Sequence, residues 1–184
     1  LRQALENNEF VLHYQPKVSA SSGEICGFEA LIRWPQVDGT GISPSQFIPI
    51  AEETGRIEPI GKWALREAAM QAKRWLKNGG EGRPIAVNVS AQQFRRDSVA
   101  QYVEPVLRET GIPPAMLEAE LTESAVMTDP LKAIQALNQI RDLGVHISID
   151  DFGTGYSSLA YLKRFPLNKL KIDTAFVRDI ATDP

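Results

Sequence analysis

Apolar positions along this chain recur with two periods, and the switches between them mark its elements. Residues 10–18 alternate, with Val11, His13 and Gln15 on one face. A turn at 21–24 leads into a second strand at 24–34. Its Cys26, Phe28, Ala30 and Ile32 form an apolar face, while Glu29, Leu31 and Arg33 share the other. Ser43-Pro44-Ser45-Gln46 has the form of a capping box with Pro at the first helical position, so a helix is expected to about Glu53, ended by Gly55. Ile60, Ala64, Ala68, Ala72 and Trp75 then recur at helical spacing, which predicts a long helix over 57–78 stopped by Gly79-Gly80. A strand at 85–90, a helix at 98–110 and a strand at 117–122 follow. Asp129-Pro130 caps a helix that ends before Gly144, with Ile134, Leu137 and Ile140 apolar. The chain continues with a strand at 145–151, a glycine loop at 152–155, a helix near 157–164 and a strand at 169–173.

Regular alternation of helix and strand implies parallel strands joined by helical crossovers. Five of the strands carry a polar or charged residue near the C-terminal end: Glu29 in 25–33, Asn88 in 85–90, Glu120 in 117–122, Asp150 in 145–151 and Lys171 in 169–173. Apolar outer faces with polar inner ends fit an α/β barrel of the (β/α)8 type, with its chemistry at the C-terminal rim. An open doubly wound sheet is the rival, but its strands would be apolar on both faces. The pattern yields six strands where such a barrel needs about eight. On this reading the chain, 1–184, is one domain that stops two strands short of closure.

The length of 184 residues suits a single domain with a substantial core. A net charge of −3 argues against a surface that tracks a DNA or RNA backbone. The single Cys, Cys26, cannot pair internally, which fits a reducing compartment such as a cytoplasm. No run approaches the roughly 20 apolar residues of a membrane span, and no signal peptide is visible. A start at Leu1 suggests a piece of a longer protein, whose sensory or membrane regions would lie elsewhere.

If the strands are parallel, three carboxylates, one carboxamide oxygen and one ammonium converge. Hard oxygen donors without His or Cys suit Mg²⁺ or Mn²⁺ better than Zn²⁺, which points to metal-dependent phosphate chemistry. Taken singly, each residue has a plainer reading. Glu29 could pair with Arg33, Asn88 could cap a turn, Lys171 could be a solvated strand end, and Asp150-Asp151 could simply form a turn. His13 and His146 lack a partner at metal spacing and read as structural. Trp63 and Trp75 read as core, and Cys26 as a small apolar contact on the helix-facing side of its strand. Gly153-x-Gly155 lacks the third Gly of a dinucleotide-binding loop.

The motifs together go further. In order they are Tyr14-Gln15-Pro16, Glu29-Ala30-Leu31 with Arg33, Asn88-Val89-Ser90, Glu120-Leu121-Thr122-Glu123, the run from Asp150-Asp151-Phe152-Gly153 through Leu159, and Lys171-Ile172-Asp173. This series resembles the EAL domain, the cyclic-di-GMP phosphodiesterase domain of bacteria, over essentially the whole chain. The resemblance implies a modified (β/α)8 barrel with an antiparallel first strand, hydrolysing cyclic di-GMP to linear pGpG in second-messenger signalling. It implies that Glu29, Asn88, Glu120 and Asp150 bind one Mg²⁺ or Mn²⁺, with Asp150 bridging to a second ion held also by Asp151. Lys171 would position the attacking water, and Gln15, Leu31 and Arg33 would contact the dinucleotide. Glu123 would brace the 150–155 loop, which links the metal site to a homodimer surface. A cytoplasmic setting is implied, with sensory or GGDEF-type domains or an inner-membrane tether elsewhere in the parent chain. The family's Glu-Gly-Val-Glu and Gln-Gly-Tyr segments do not occur here. The second metal site then lacks a ligand, and residues 1–184 alone are expected to be inactive. The rival within the resemblance is a silent domain that binds cyclic di-GMP or only a protein. Such members lose metal ligands, and none is lost among the motifs present.

Overall fold

A computed structural model describes residues 1–36, 39–96, 99–153 and 159–178. A short helix α1 (Arg2–Glu6) precedes the hairpin β1 (Val11–Val18) and β2 (Ile25–Pro35). Then come β3 (Gly41–Ile42), α2 (Pro44–Glu53), α3 (Ile57–Lys77), β4 (Ile85–Asn88), α4 (Ala91–Arg96) and α5 (Ala100–Thr110). They are followed by β5 (Leu117–Thr122), α6 (Glu123–Met127), α7 (Pro130–Asp142), β6 (His146–Phe152), α8 (Leu159–Leu162), β7 (Lys169–Ile172) and α9 (Thr174–Arg178).

The sheet order is β1-β2-β4-β5-β6-β7, with β3 pairing only β2. β1 runs antiparallel to β2, placing Gln15 opposite Glu29 and Lys17 opposite Gly27. The remaining neighbours on this path are parallel. This matches the expected barrel-type order with a reversed first strand.

Strand phase explains where the core lies. Ile85, Val87, Leu117, Ala119, Leu121, Ile147 and Ile149 point to one side and are buried in one cluster with Ala64, Ala68 and Ala72 of α3, Val103 of α5 and Leu137 of α7. Alternate residues point to the other side, where the polar groups collect. A doubly wound sheet would have apolar residues on both faces, so that rival fails. The polar side is also tied across the sheet. Lys17 on β1 donates to Glu118 Oε1 on β5 at 3.0 Å, and Lys169 on β7 donates to Glu118 Oε2. β1 and β7 are the two ends of the strand order, so one buried carboxylate links both edges and the sheet curls around it.

Local signals account for the helix starts. The Ser43 side chain accepts the Ser45 N–H at 3.3 Å and Gln46 Oε1 accepts the Ser43 N–H at 3.1 Å, closing the expected capping box on α2. Asp129 accepts from the Lys132 N–H at 3.2 Å and starts α7. The helix expected over 98–110 is α5, which begins at Ala100, and α4 before it is a helix that the periodicity did not predict. Ser98 lies outside the described residues, as do 154–157 of the glycine loop and following helix. The strand expected to Ser90 ends at Asn88, because Ser90 caps α4. Cys26 is exposed, which corrects the helix-facing contact expected for it. It lies at the start of β2, before the strand reaches the cover of α3. Among the described residues no helix is long and apolar enough to cross a membrane.

Candidate active site

Side chains of β2, β4, β5 and β6 gather around Lys171 of β7, with Glu29 coming from the middle of β2 and not from its C-terminal end as its sequence position suggested. Lys171 Nζ donates to Asp150 Oδ2 at 2.9 Å, to Glu29 Oε2 at 3.4 Å and, more closely, to the Glu120 carboxylate. Asn88 Nδ2 donates to Glu29 Oε1 at 3.0 Å. Asn88 sits level with Glu120 across the β4–β5 pair, and Asp150 lies level with Thr122. The structure therefore brings together Glu29, Asn88, Glu120, Asp150 and Lys171, each from a different strand.

Three carboxylates around one ammonium leave a surplus of negative charge. Burial, first of all, pushes the Glu120 carboxyl up to about 7; the neighbouring Asp150 and Glu29 add to this and Lys171 opposes it. Burial alone would lower Lys171, yet its hydrogen bonds to Glu120 and Asp150 outweigh burial and raise it, so it stays an ammonium. Burial likewise works against Asp150, but the Lys171 hydrogen bond, then Glu120 and the Asp151 N–H, hold it below its ordinary value.

The donor set can be tested against a metal. Glu120 Oε2 is buried with no hydrogen-bond partner, an oxygen that lacks positive charge in a group already short of it. The four groups offer hard oxygens, as Mg²⁺ or Mn²⁺ requires. Among the described residues, no three acidic, His or Cys side chains form a group ready to hold a metal as they stand. Lys171 Nζ is at the point where the carboxylates converge. The residues fit a hard cation once that ammonium yields its position.

Asp151 is placed differently. Its φ of 53° is in the left-handed region, which a non-Gly residue adopts at some expense, and its N–H donates to Asp150 Oδ1 at 2.9 Å. Its carboxyl lies beside Asp173 and is raised by burial first and then by the charges of Asp150 and Asp173. Gln15 is exposed on β1 opposite Glu29. Leu31 and Arg33 line a cavity of about 450 Å³ that also touches Asn88, Pro44 and Glu52. Arg33 Nη1 donates to the Ile32 carbonyl at 2.8 Å.

Glu123 is buried at the first position of α6 and accepts the Gly153 N–H at 2.7 Å through Oε2. It touches the loop that leaves β6 rather than sharing the strand-end cluster. Thr154, Gly155, Tyr156, Ser157 and Ser158 of that loop lie outside the described residues.

Two features escaped the sequence reading. The Glu118–Lys17–Lys169 group lies two residues below Glu120 and Lys171 in the same strand phase, and that phase was the available signal. Burial works to raise Glu118, but its hydrogen bonds to Lys169 and Lys17 win and hold it below the ordinary value. The second is Gln93, a buried polar residue three positions after Ser90. Its signal was the Ser-x-x-Gln spacing of a capping box.

Comparison with known proteins gives a consistent picture. The EAL domain family model matches residues 1–184. The chain is 49% identical over 183 residues to the bifunctional diguanylate cyclase/cyclic di-GMP phosphodiesterase MucR of Pseudomonas aeruginosa, covering 100% of this chain and 27% of MucR. It is 41% identical to the cyclic di-GMP phosphodiesterase PdeR of Escherichia coli, covering 100% of this chain and 28% of PdeR. The chain thus spans about a quarter of the length of these curated relatives. A solved structure of the PaMucR phosphodiesterase in complex with c-di-GMP superposes with a TM-score of 0.93 at 48% identity, covering 99% of this chain and 74% of that one.

Proposed function

Because this chain belongs to the EAL domain family, we propose that it hydrolyses one phosphodiester of cyclic di-GMP to linear pGpG in bacterial second-messenger signalling. The observation that carries the reading is the meeting of Glu29, Asn88, Glu120, Asp150 and Lys171 at one point on the strand ends. Relatives that share the fold are named for this activity, and one is solved with the dinucleotide.

Glu29, Asn88, Glu120 and Asp150 would hold a Mg²⁺ or Mn²⁺, and Asp150 with Asp151 would reach a second. Bound there, such an ion lowers the pKa of water and offsets charge on phosphate oxygens. The chain's own groups do the rest. Hydrolysis places the water oxygen on phosphorus, breaks the bond to one ribose 3′ oxygen and delivers a proton to that oxygen. Lys171, held as an ammonium, orients the attacking water by donation. Arg33 offers a planar fork to a phosphate. Gln15 and Leu31 border the dinucleotide on the β1 and β2 side. Glu123 holds the Gly153 backbone and with it the turn that carries Asp150 and Asp151.

The test is pGpG formation from cyclic di-GMP with Mg²⁺ or Mn²⁺, measured on the chain with whatever native sequence flanks it, beside its Glu120→Gln variant. Metal-dependent product from the parent and none from the variant is expected. Binding of cyclic di-GMP in Ca²⁺ without turnover in Mg²⁺ or Mn²⁺ would instead mark a receptor.

A further inference from the structure

Gln93 is 4% exposed and makes two bonds to one residue. Its Oε1 accepts the Ser90 N–H at 3.1 Å, and its backbone N–H donates to Ser90 Oγ at 3.2 Å. Ser90 is two residues beyond Asn88. On the other side of this turn, the Val89 N–H donates to the Glu120 carbonyl at 2.8 Å. The turn that carries Asn88 is thereby pinned to β5 and to Gln93. At its near end, Asn88 Nδ2 meets Glu29 at 3.0 Å.

The far side of Gln93 rests on Gly61, inside the 21-residue helix α3. A Cβ at Gly61 would lie 2.6 Å from the Gln93 carboxamide carbon and closer still to its nitrogen. Glycine weakens a helix interior relative to alanine, and Gly61 is not among the positive-φ glycines, so backbone conformation does not call for it. Space does: the missing side chain admits the Gln93 carboxamide.

We propose that Gln93 is a positioning residue for Asn88, and that Gly61 is the gap in α3 that lets it reach. The connection runs from α3 through Gln93 and Ser90 to the Asn88 carboxamide and Glu29. A simple cap for α4 would need no complementary gap in another helix. The inference rests on the proposed function only for what Asn88 holds.

The packing and positioning roles separate in a double variant. Gly61→Ala displaces the Gln93 side chain. Gln93→Ala removes the side-chain acceptor of the Ser90 N–H and keeps the backbone bond to Ser90 Oγ. In Gly61→Ala/Gln93→Ala the new methyl group enters the vacated space, which restores packing without the hydrogen bond. Three readouts on the same protein as in the activity test are needed: Tm, Mn²⁺ affinity by calorimetry, and order of the Asn88 side-chain amide by ¹⁵N relaxation. Gly61→Ala is expected to lower Tm and weaken Mn²⁺ binding. The double variant should recover Tm, while Mn²⁺ binding stays roughly tenfold weaker, about 1.4 kcal/mol, and the Asn88 amide stays mobile. Gln93→Glu, which keeps the acceptor for the Ser90 N–H, should keep that amide ordered. An ordered Asn88 amide in Gln93→Ala or in the double variant overturns the proposal. If the parent chain's Mn²⁺ titration is unchanged by Glu120→Gln, the reading of the metal site fails, and Asn88 order alone still decides the role of Gln93.

Discussion

Replacing Lys171 by methionine tests the electrostatics of the site most directly. The side chain is similar in length but carries no charge. In the metal-free protein it would leave Glu29, Glu120 and Asp150 facing one another without their shared ammonium. Removing one partner from a buried ion pair costs about 3–5 kcal/mol. Here solvent reduces that figure: Lys171 is 29% exposed, Glu29 19% and Asp150 25%, and only Glu120 is at 0%. Glu120 also has a way out, since its carboxyl already titrates at about 7 and would rise further without the ammonium. A loss of about 2 kcal/mol at pH 8 is therefore expected, shrinking toward pH 6 as Glu120 takes up a proton. For a domain of this size it corresponds to a fall in Tm of roughly 4–8 °C. The sign reverses for a divalent cation. Lys171 repels it from the point where the carboxylates converge, so Lys171→Met should bind Mn²⁺ at least about tenfold more tightly, while turnover falls sharply. Calorimetric melting in chelator at pH 6, 7 and 8, followed by Mn²⁺ titration, measures both. An unchanged metal-free Tm together with weaker Mn²⁺ binding would refute the idea that Lys171 is the internal counter-ion of the site.

Other outcomes follow from the same structure. The folded Glu120 pKa of about 7 lies above its ordinary 4.5, so its stabilising contribution is complete below about pH 4.5 and lost as pH rises through 7; in chelator, Glu120→Gln should remove that part of the Tm decline between pH 5 and 8. Glu118→Gln leaves Lys17 and Lys169 without their shared anion and should lower Tm by several degrees, about 2 kcal/mol, without weakening Mn²⁺ binding. Because Glu118 is held below its ordinary value, its contribution is present above about pH 4.5 and lost as pH falls through the lower folded value, so the penalty of Glu118→Gln should shrink in acid. Glu123→Ala deprives the Gly153 N–H of its acceptor, at about 1–3 kcal/mol locally; hydrogen exchange at residues 150–153 should quicken while the β4 and β5 amides stay protected.

The strand-end residues were legible for a geometric reason. Period-two alternation states which side of a strand each residue takes, and parallel connection brings all C-terminal ends to one rim. Glu29, Asn88, Glu120, Asp150 and Lys171 needed nothing more to be placed together. Gln15 and Lys17 needed more, because β1 runs the other way and pattern alone does not show strand direction. Even with direction known, register alone sets Glu118 level with Glu29 and Gln15, and Lys17 reaches it only because the sheet curls. Glu118 is harder to read, because a polar residue at the second position of a strand does not announce a buried partner. Its meaning appears only when both sheet edges are seen to reach it.

The helix boundaries and Gln93 show a second limit. Periodicity finds α5 but not α4, a helix of six residues too short to show a period, although Ser90-x-x-Gln93 carries the local signal for a helix start there. That signal predicts the Ser90–Gln93 bonds but says nothing about the space Gln93 enters. Gly61 lies 32 positions earlier in the chain, and a lone Gly within a helical stripe reads simply as a weak helix former. Only tertiary apposition shows that its missing Cβ and the Gln93 carboxamide occupy one volume. The same reasoning applies to Lys171. Its place at a strand end follows from phase, whereas its position among three carboxylates is a balance between desolvation and charge. Such a balance depends on how far each group is buried, which no spacing rule supplies. The chemistry of this site is therefore set at two levels: strand phase chooses the residues, and packing from α3 and the curled sheet sets their charge and orientation.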